Sequence, residues 1–205
     1  KMIFKISDFL LRLDLEKWLE SIPKTIIVFF ILALNYLTFD LNGNEEQYML
    51  YAKQFMDPNW IASSYLNEFP GTRLLYQCII GFFLKYFSFE MVLFFSRLAL
   101  CLGFAHILSK IYQVLKFKNI HVLLHLPVLF LLHQSLFAGS WMLISVEPKG
   151  IAYVFILYAV YHYMKTNYTA MILFLIIGSY FHILVGGYAF AFLMLCLFCF
   201  EKPKQ

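Results

Sequence analysis

Residues 167–200 contain no Asp, Glu, Lys or Arg. That run is too long for one membrane crossing, which takes about 20 apolar residues. In hydrocarbon every backbone amide must find its partner inside the chain, so a stretch like this folds as helix. Gly186-Gly187 is the expected divide between a sixth and a seventh span. Upstream, uncharged or nearly uncharged runs at 25–39, 74–89, 91–109, 121–138 and 151–164 supply the first five. Lys85 interrupts the second late, Arg97 sits in the third, and Pro127 is an expected kink in the fourth. The run at 25–39 is short for a crossing, and Lys24 can snorkel at its end.

Composition agrees. Hydrophobic residues make up 62% of the 205 and charged ones 14%, against roughly 25% charged in soluble domains. The chain is therefore expected to be an all-α polytopic membrane bundle of six to seven spans, surrounded by membrane lipids. Soluble cofactor enzymes are excluded, because no P-loop, dinucleotide fingerprint or G-x-S-x-G is present. The net charge of +4 comes from Lys at span ends rather than a basic stripe, so no nucleic-acid partner is expected. Cys78, Cys101, Cys196 and Cys199 lie in apolar runs and read as packing residues. His121 and His125 have i, i+4 spacing but no intervening Glu, so the metalloprotease pattern fails.

Two segments stand apart. Residues 1–24 form an amphipathic unit, with Ile6, Phe9, Leu10 and Leu13 opposite Lys5, Asp8, Arg12 and Glu16, ended by Pro23. A helix lying on the bilayer surface is expected there, followed by one membrane domain over 25–205. The second segment, 40–73, holds Asp40, Glu45, Glu46, Asp57 and Glu68. Asn44 is its expected N-cap, with Gln47 three residues on. Tyr48, Ala52 and Phe55 share one helical face, and Asp57-Pro58-Asn59 separates a second helical piece. Trp60 and Tyr65 suit a membrane–water interface.

Lys and Arg concentrate before the first span, at 110–118, at Lys165, and at Lys202 and Lys204. The positive-inside rule puts the N-terminus in the cytoplasm and the 40–73 segment outside. Counting every run as a crossing then places 110–118 outside. If 74–109 makes one net crossing, every Lys cluster falls inside, and Glu147 and Lys149 share the outer face with Glu45. The second version is preferred, because it gathers a site. Arg97, costing roughly 2.5–3.5 kcal/mol at a helix centre, needs a partner, either Glu90 or a ligand phosphate. Glu147-Pro148-Lys149-Gly150 and His182 are the other polar groups set among apolar runs.

Together these motifs resemble the GT-C class of membrane glycosyltransferases that use polyprenyl-phosphate sugars, in its mannosyltransferase-like branch. Asn44, Glu45, Tyr48 and Ala52 occupy the spacing of the D-E-x-x-Y-x-x-x-A motif after the first span, with Asn44 in place of the usual Asp. Pro70 resembles the prolines before span two, and F-S-F-E-M-V-L-F-F-S-R, ending at Arg97, resembles the turn and third-span Arg. E-P-K-G-I-A-Y and F-H-I-L-V-G-G also look like motifs of a related uncharacterised bacterial membrane family. The resemblance implies transfer of a sugar from a polyprenyl-phosphate donor at the outer face of a bacterial inner membrane. Glu45, Glu46 or Asp40 would be the base or would hold a divalent cation. Arg73, Arg97, Lys149 and His182 would face the phosphate, with Glu147 and Tyr48 completing the site. The alternative is a non-enzymatic carrier or assembly subunit of envelope polysaccharide export.

Overall fold

A computed structural model describes residues 15–38, 40–41, 44–61, 73–131, 135–137, 140–141 and 145–200. Most of the amphipathic face expected over 1–24, the second helical piece after Asp57-Pro58-Asn59, and Tyr65, Glu68, Pro70, Lys202 and Lys204 lie outside them. The fold is all-α, with nine helices among the described residues. They are α1 (Leu15–Ser21), α2 (Lys24–Tyr36), α3 (Glu45–Met56), α4 (Leu74–Tyr86), α5 (Phe89–Val114), α6 (Asn119–Leu131), α7 (Pro148–Met164), α8 (Tyr168–Phe181) and α9 (Ile183–Phe200). A five-residue ribbon pairing Ser135–Phe137 with Ser140–Trp141 lies between α6 and α7.

Local chemistry accounts for most boundaries. Pro23 precedes α2, and Pro148 opens α7 with a fixed φ and no orphan amide. The Ser88 hydroxyl accepts from Met91 N, and Asn167 Oδ1 accepts from Ala170 N. Asn44 does occupy the N-cap of α3, but its side chain makes no capping bond. Both α5 and α7 end in a Schellman motif. Phe117 N donates to Tyr112 O and Lys116 N to Gln113 O, with Lys116 at φ 56°. Asn167 N donates to His162 O and Thr166 N to Tyr163 O, with Thr166 at φ 55°.

α5 is the centre of the bundle, packing on α2 along one side and on α7 along another. α2 runs antiparallel to it: Thr25 Oγ1 lies 2.8 Å from Ser109 Oγ, and Thr38 meets Arg97. Gly103 of α5 brings Val154 of α7 into close contact. α7, α8 and α9 form a three-helix group whose small residues let backbones approach, as at Gly178 against Ala152 and Ile156. Phe155 stacks on Phe174 and Phe181 between α7 and α8. α3 and α4 form a separate pair, side by side and parallel, with Tyr48 against Tyr76 and Lys53 Nζ donating to Leu84 O.

The structure corrects the expected division of the last apolar run. The break falls at His182, not at Gly186-Gly187. Gly186 instead lies inside α9, where a Cβ would collide with Ser179 of α8. Glycine is needed there for a close helix crossing rather than for a turn.

Helix length also bears on the span count. Among the described residues only α5 and α9, with 26 and 18 residues, are long and apolar enough to cross a bilayer. α2, α4 and α8 are apolar but have 13, 13 and 14 residues, about 20 Å each at 1.5 Å per residue. A hydrocarbon core is about 30 Å thick, so helix length alone does not support six to seven spans. Large side chains nevertheless point outward along these helices, including Leu34, Phe82, Tyr180, Phe198 and Phe200.

Candidate functional site

The polar residues singled out above come together at one end of the bundle. They are brought there by the start of α3, the start of α4, the N-terminus of α7 and the turn between α8 and α9. Arg97, two turns into α5, is the deepest. The residue is 3% exposed, and its guanidinium clamps Glu45, which is 0% exposed. Nε donates to Glu45 Oε1 at 3.1 Å and Nη2 to Glu45 Oε2. Nη1 donates to both the carbonyl, at 2.6 Å, and the hydroxyl of Thr38; Nη2 also donates to Asp40 O at 2.6 Å. All five guanidinium donors are thus engaged. The partner of Arg97 is Glu45, not Glu90, which lies in the first turn of α5 and is exposed.

Glu45 has a third partner. Val146 N donates to its Oε1 at 2.5 Å, and Tyr76 Oη donates to Val146 O at 2.8 Å. α3, α4, α5 and the entry to α7 are therefore pinned to each other through one carboxylate and the backbone N–H and C=O of Val146. Although it stands in the first turn of α3 within a polar segment, Glu45 faces inward, on the buried side of the helix with Met49 and Ala52. Glu46 and the Asp40 side chain, by contrast, are solvent-facing.

Beside this brace sits a second cluster. Glu147 is 1% exposed, accepts from Ser145 Oγ, and lies 3.1 Å from the Lys149 ammonium. The Arg73 guanidinium lies 4.6 Å over the Tyr48 ring. Burial pushes the Tyr48 phenol up, against the pull of Arg73. His182 lies in the turn after α8, within electrostatic range of Arg73, Lys149 and Glu147. Burial, reinforced by the two cations, holds its imidazole below the ordinary value. Its Nδ1 accepts from Val185 N at 3.3 Å, which fixes the neutral tautomer with the proton on Nε2.

An apolar groove of about 520 Å³ lies between α4, α5 and α7. Its lining includes Val146, Ile151 and Phe181, each within two residues of Glu147, Lys149 or His182 in the chain, together with Phe83, Met91 and Phe95. Among the described residues no group of three His, Cys, Asp or Glu side chains is arranged to hold a metal. His121 Nδ1 is taken by Lys118 N, and His125 Nδ1 lies 2.8 Å from Tyr112 Oη. The four cysteines are free.

The sequence reading missed Thr38, Tyr76, Ser145 and Val146. Three contribute common polar or backbone groups whose value depends on distant partners. Only Ser145, two residues before Glu147, had a local signal. No family model, no curated protein and no solved structure matches this chain.

Proposed function

We propose that the chain is a multi-pass membrane protein that binds a polyprenyl-phosphate-linked substrate at this end of its bundle, in the manner implied by its resemblance to GT-C glycosyltransferases. One observation carries the reading: an apolar groove is lined by Val146, Ile151 and Phe181, close in the chain to the cluster of Glu147, Lys149 and His182, with Arg73 in electrostatic range of that histidine. An amphiphile with a hydrocarbon tail and an anionic head matches both halves. Arg73, Lys149 and the Nε2–H of His182 are the phosphate-facing donors. Arg97 is withdrawn from that role, since its donors are filled by Thr38, Asp40 and Glu45. Glu45 is likewise withdrawn from base catalysis, which leaves Glu147, Asp40 and Glu46 for proton transfer or for a divalent cation.

The topology that fits this reading has α2, α5, α6, α7, α8 and α9 crossing, with the N-terminus in the cytoplasm. Lys110–118 and Lys165 then fall inside and the site outside. The short helices are accommodated by snorkelling ends and local bilayer thinning. The alternative, a non-enzymatic scaffold, is favoured by the closed Arg97–Glu45 brace, which performs structural work with no ligand.

Thermal melting in detergent, with and without polyprenyl phosphate, separates the two. Ligand that binds only the folded state raises the melting temperature. The parent is expected to shift with polyprenyl phosphate but not with polyprenol, and Lys149→Met with Arg73→Met is expected to lose the shift. An equal shift with polyprenol, or in the double variant, would sink the phosphate site and favour the scaffold.

A further inference from the structure

We infer that His121 and His125, with Lys116 and Lys118, form a second anion site, which holds the phosphate of an anionic phospholipid against α6. This rests on the membrane reading above, but not on the proposed substrate or reaction. The site stands at the opposite end of the bundle from Arg97. Tyr112, which helps to build it, lies fifteen residues further along α5, about 22 Å at 1.5 Å per residue.

The turn between α5 and α6 sets its geometry. The Schellman motif bonds Phe117 N to Tyr112 O, and the Phe117 ring stacks on Tyr112 with centroids 5.6 Å apart. Both imidazoles meet that Phe117 ring in T-shaped contacts, His121 at 5.8 Å and His125 at 6.3 Å. Spaced i, i+4, they share one face of α6, and both residues are exposed.

Hydrogen bonds decide which ring nitrogen carries the proton. His121 Nδ1 accepts from Lys118 N at 3.3 Å, reaching back as the side chain of a capping box does. His125 Nδ1 lies 2.8 Å from the hydroxyl of Tyr112, a residue only 3% exposed. If the imidazole donated, that buried hydroxyl would keep a proton with no acceptor, so Tyr112 is the donor. Each Nδ1 is thus an acceptor, and each Nε2 carries the proton. Neither Nε2–H meets a partner among the described residues.

Two uncommitted donors one helical turn apart suit a group rich in acceptor oxygens, and a protonated nitrogen offers a metal no lone pair. Charge selects an anion. Lys116 and Lys118 are exposed on either side of Phe117. Glu20, the acid fastened to this turn through Asn119 N, is already answered by Lys24 at 3.6 Å. Further along α6 the same face turns apolar, with Leu124 and Val128 at 63% and 49% exposed. Donors at the helix end above a bare apolar face fit a phosphate joined to acyl chains better than phosphate alone. In the topology above this end is cytoplasmic, where basic residues beside a span attract anionic headgroups.

Substitution can delete the free donor and keep the inner contact. In His121→Asn with His125→Asn, the amide oxygen takes the place of Nδ1 and the Nε2–H is lost. In His121→Gln with His125→Gln, the amide nitrogen takes the place of Nε2. Melting of the purified chain in detergent is titrated with dioleoylphosphatidylglycerol, dioleoylphosphatidylcholine or glycerol 3-phosphate. Phosphatidylglycerol is expected to raise the melting temperature of the parent, and the other two to do so much less. The Asn pair should weaken its apparent affinity at least about tenfold, the loss of a hydrogen bond to a charged group. The Gln pair should keep most of it. Should the Asn pair not fold, Lys116→Asn serves instead, since Asn tolerates the left-handed backbone there; a several-fold weakening is expected. No shift with phosphatidylglycerol, or unchanged affinity in either Asn variant, overturns the site. An equal shift with phosphatidylcholine overturns the anion, and an equal shift with glycerol 3-phosphate overturns the lipid. A shift given by polyprenyl phosphate through Arg73 and Lys149 should survive in the Asn pair, so the two sites fail separately.

Discussion

Arg97 and Glu45 stand 52 residues apart in sequence and form a two-bond, fully buried ion pair. Neither can lose the other cheaply. Removing one partner of a buried pair leaves an uncompensated charge and costs about 3–5 kcal/mol, whereas apolar replacement of both is often near neutral. Arg97→Met alone is expected to lower the detergent melting temperature sharply. Glu45→Gln should do so as well, the reverse of what an exposed first-turn acid would give. Arg97→Met with Glu45→Leu should recover part of the loss, although the amide of Val146 then lacks its acceptor. A double variant no better than the singles would show that the two residues do not act as a pair.

Gly81 and Gly187 offer a paired test of packing. A Cβ at Gly81 runs into Ala52 O and Met56, while at Gly187 it meets nothing within 4 Å. Gly81→Ala is expected to destabilise by about 1–3 kcal/mol through overpacking. Gly187→Ala should be neutral or stabilising, by up to about 1 kcal/mol of helix propensity. Melting curves of the two variants side by side check both signs.

Thr166 occupies a left-handed conformation that a β-branched side chain rarely adopts, at φ 55°. Thr166→Gly keeps the Schellman bonds of α7 and removes the steric penalty, roughly 1 kcal/mol. A higher melting temperature is the expected outcome; a lower one would mean the Thr166 side chain makes a compensating contact.

The imidazole of His182 titrates below the ordinary value of 6.5, because it is buried beside Arg73 and Lys149. The unfolded chain therefore takes up this proton first as pH falls. The stability this group contributes is complete above about pH 6.5 and is lost progressively below it, at no more than about 1.4 kcal/mol per pH unit. Comparing melting at pH 7.5 and 5.5 should show a smaller acid loss in His182→Gln than in the parent. Equal acid losses would place the sensitivity elsewhere.

The amino-acid sequence alone determined the class of structure and most of its local punctuation. Uncharged runs made the helices, and Pro23, Pro148 and Asn167 stopped or started them where short-range geometry allows nothing else. It also marked the residues that do not belong in lipid, Arg97, Glu147, Lys149 and His182 among them. Only the tertiary structure decided what those residues touch. Glu45 reads locally as a solvated first-turn acid, and it is fully buried because α5 delivers Arg97 to it. The last run breaks at His182, while Gly186 packs inside α9 against Ser179. Local signals act over three or four residues, and sequence carries them directly. A buried polar partner is chosen by which helix faces meet once the chain has closed, and no spacing in the sequence encodes that distance.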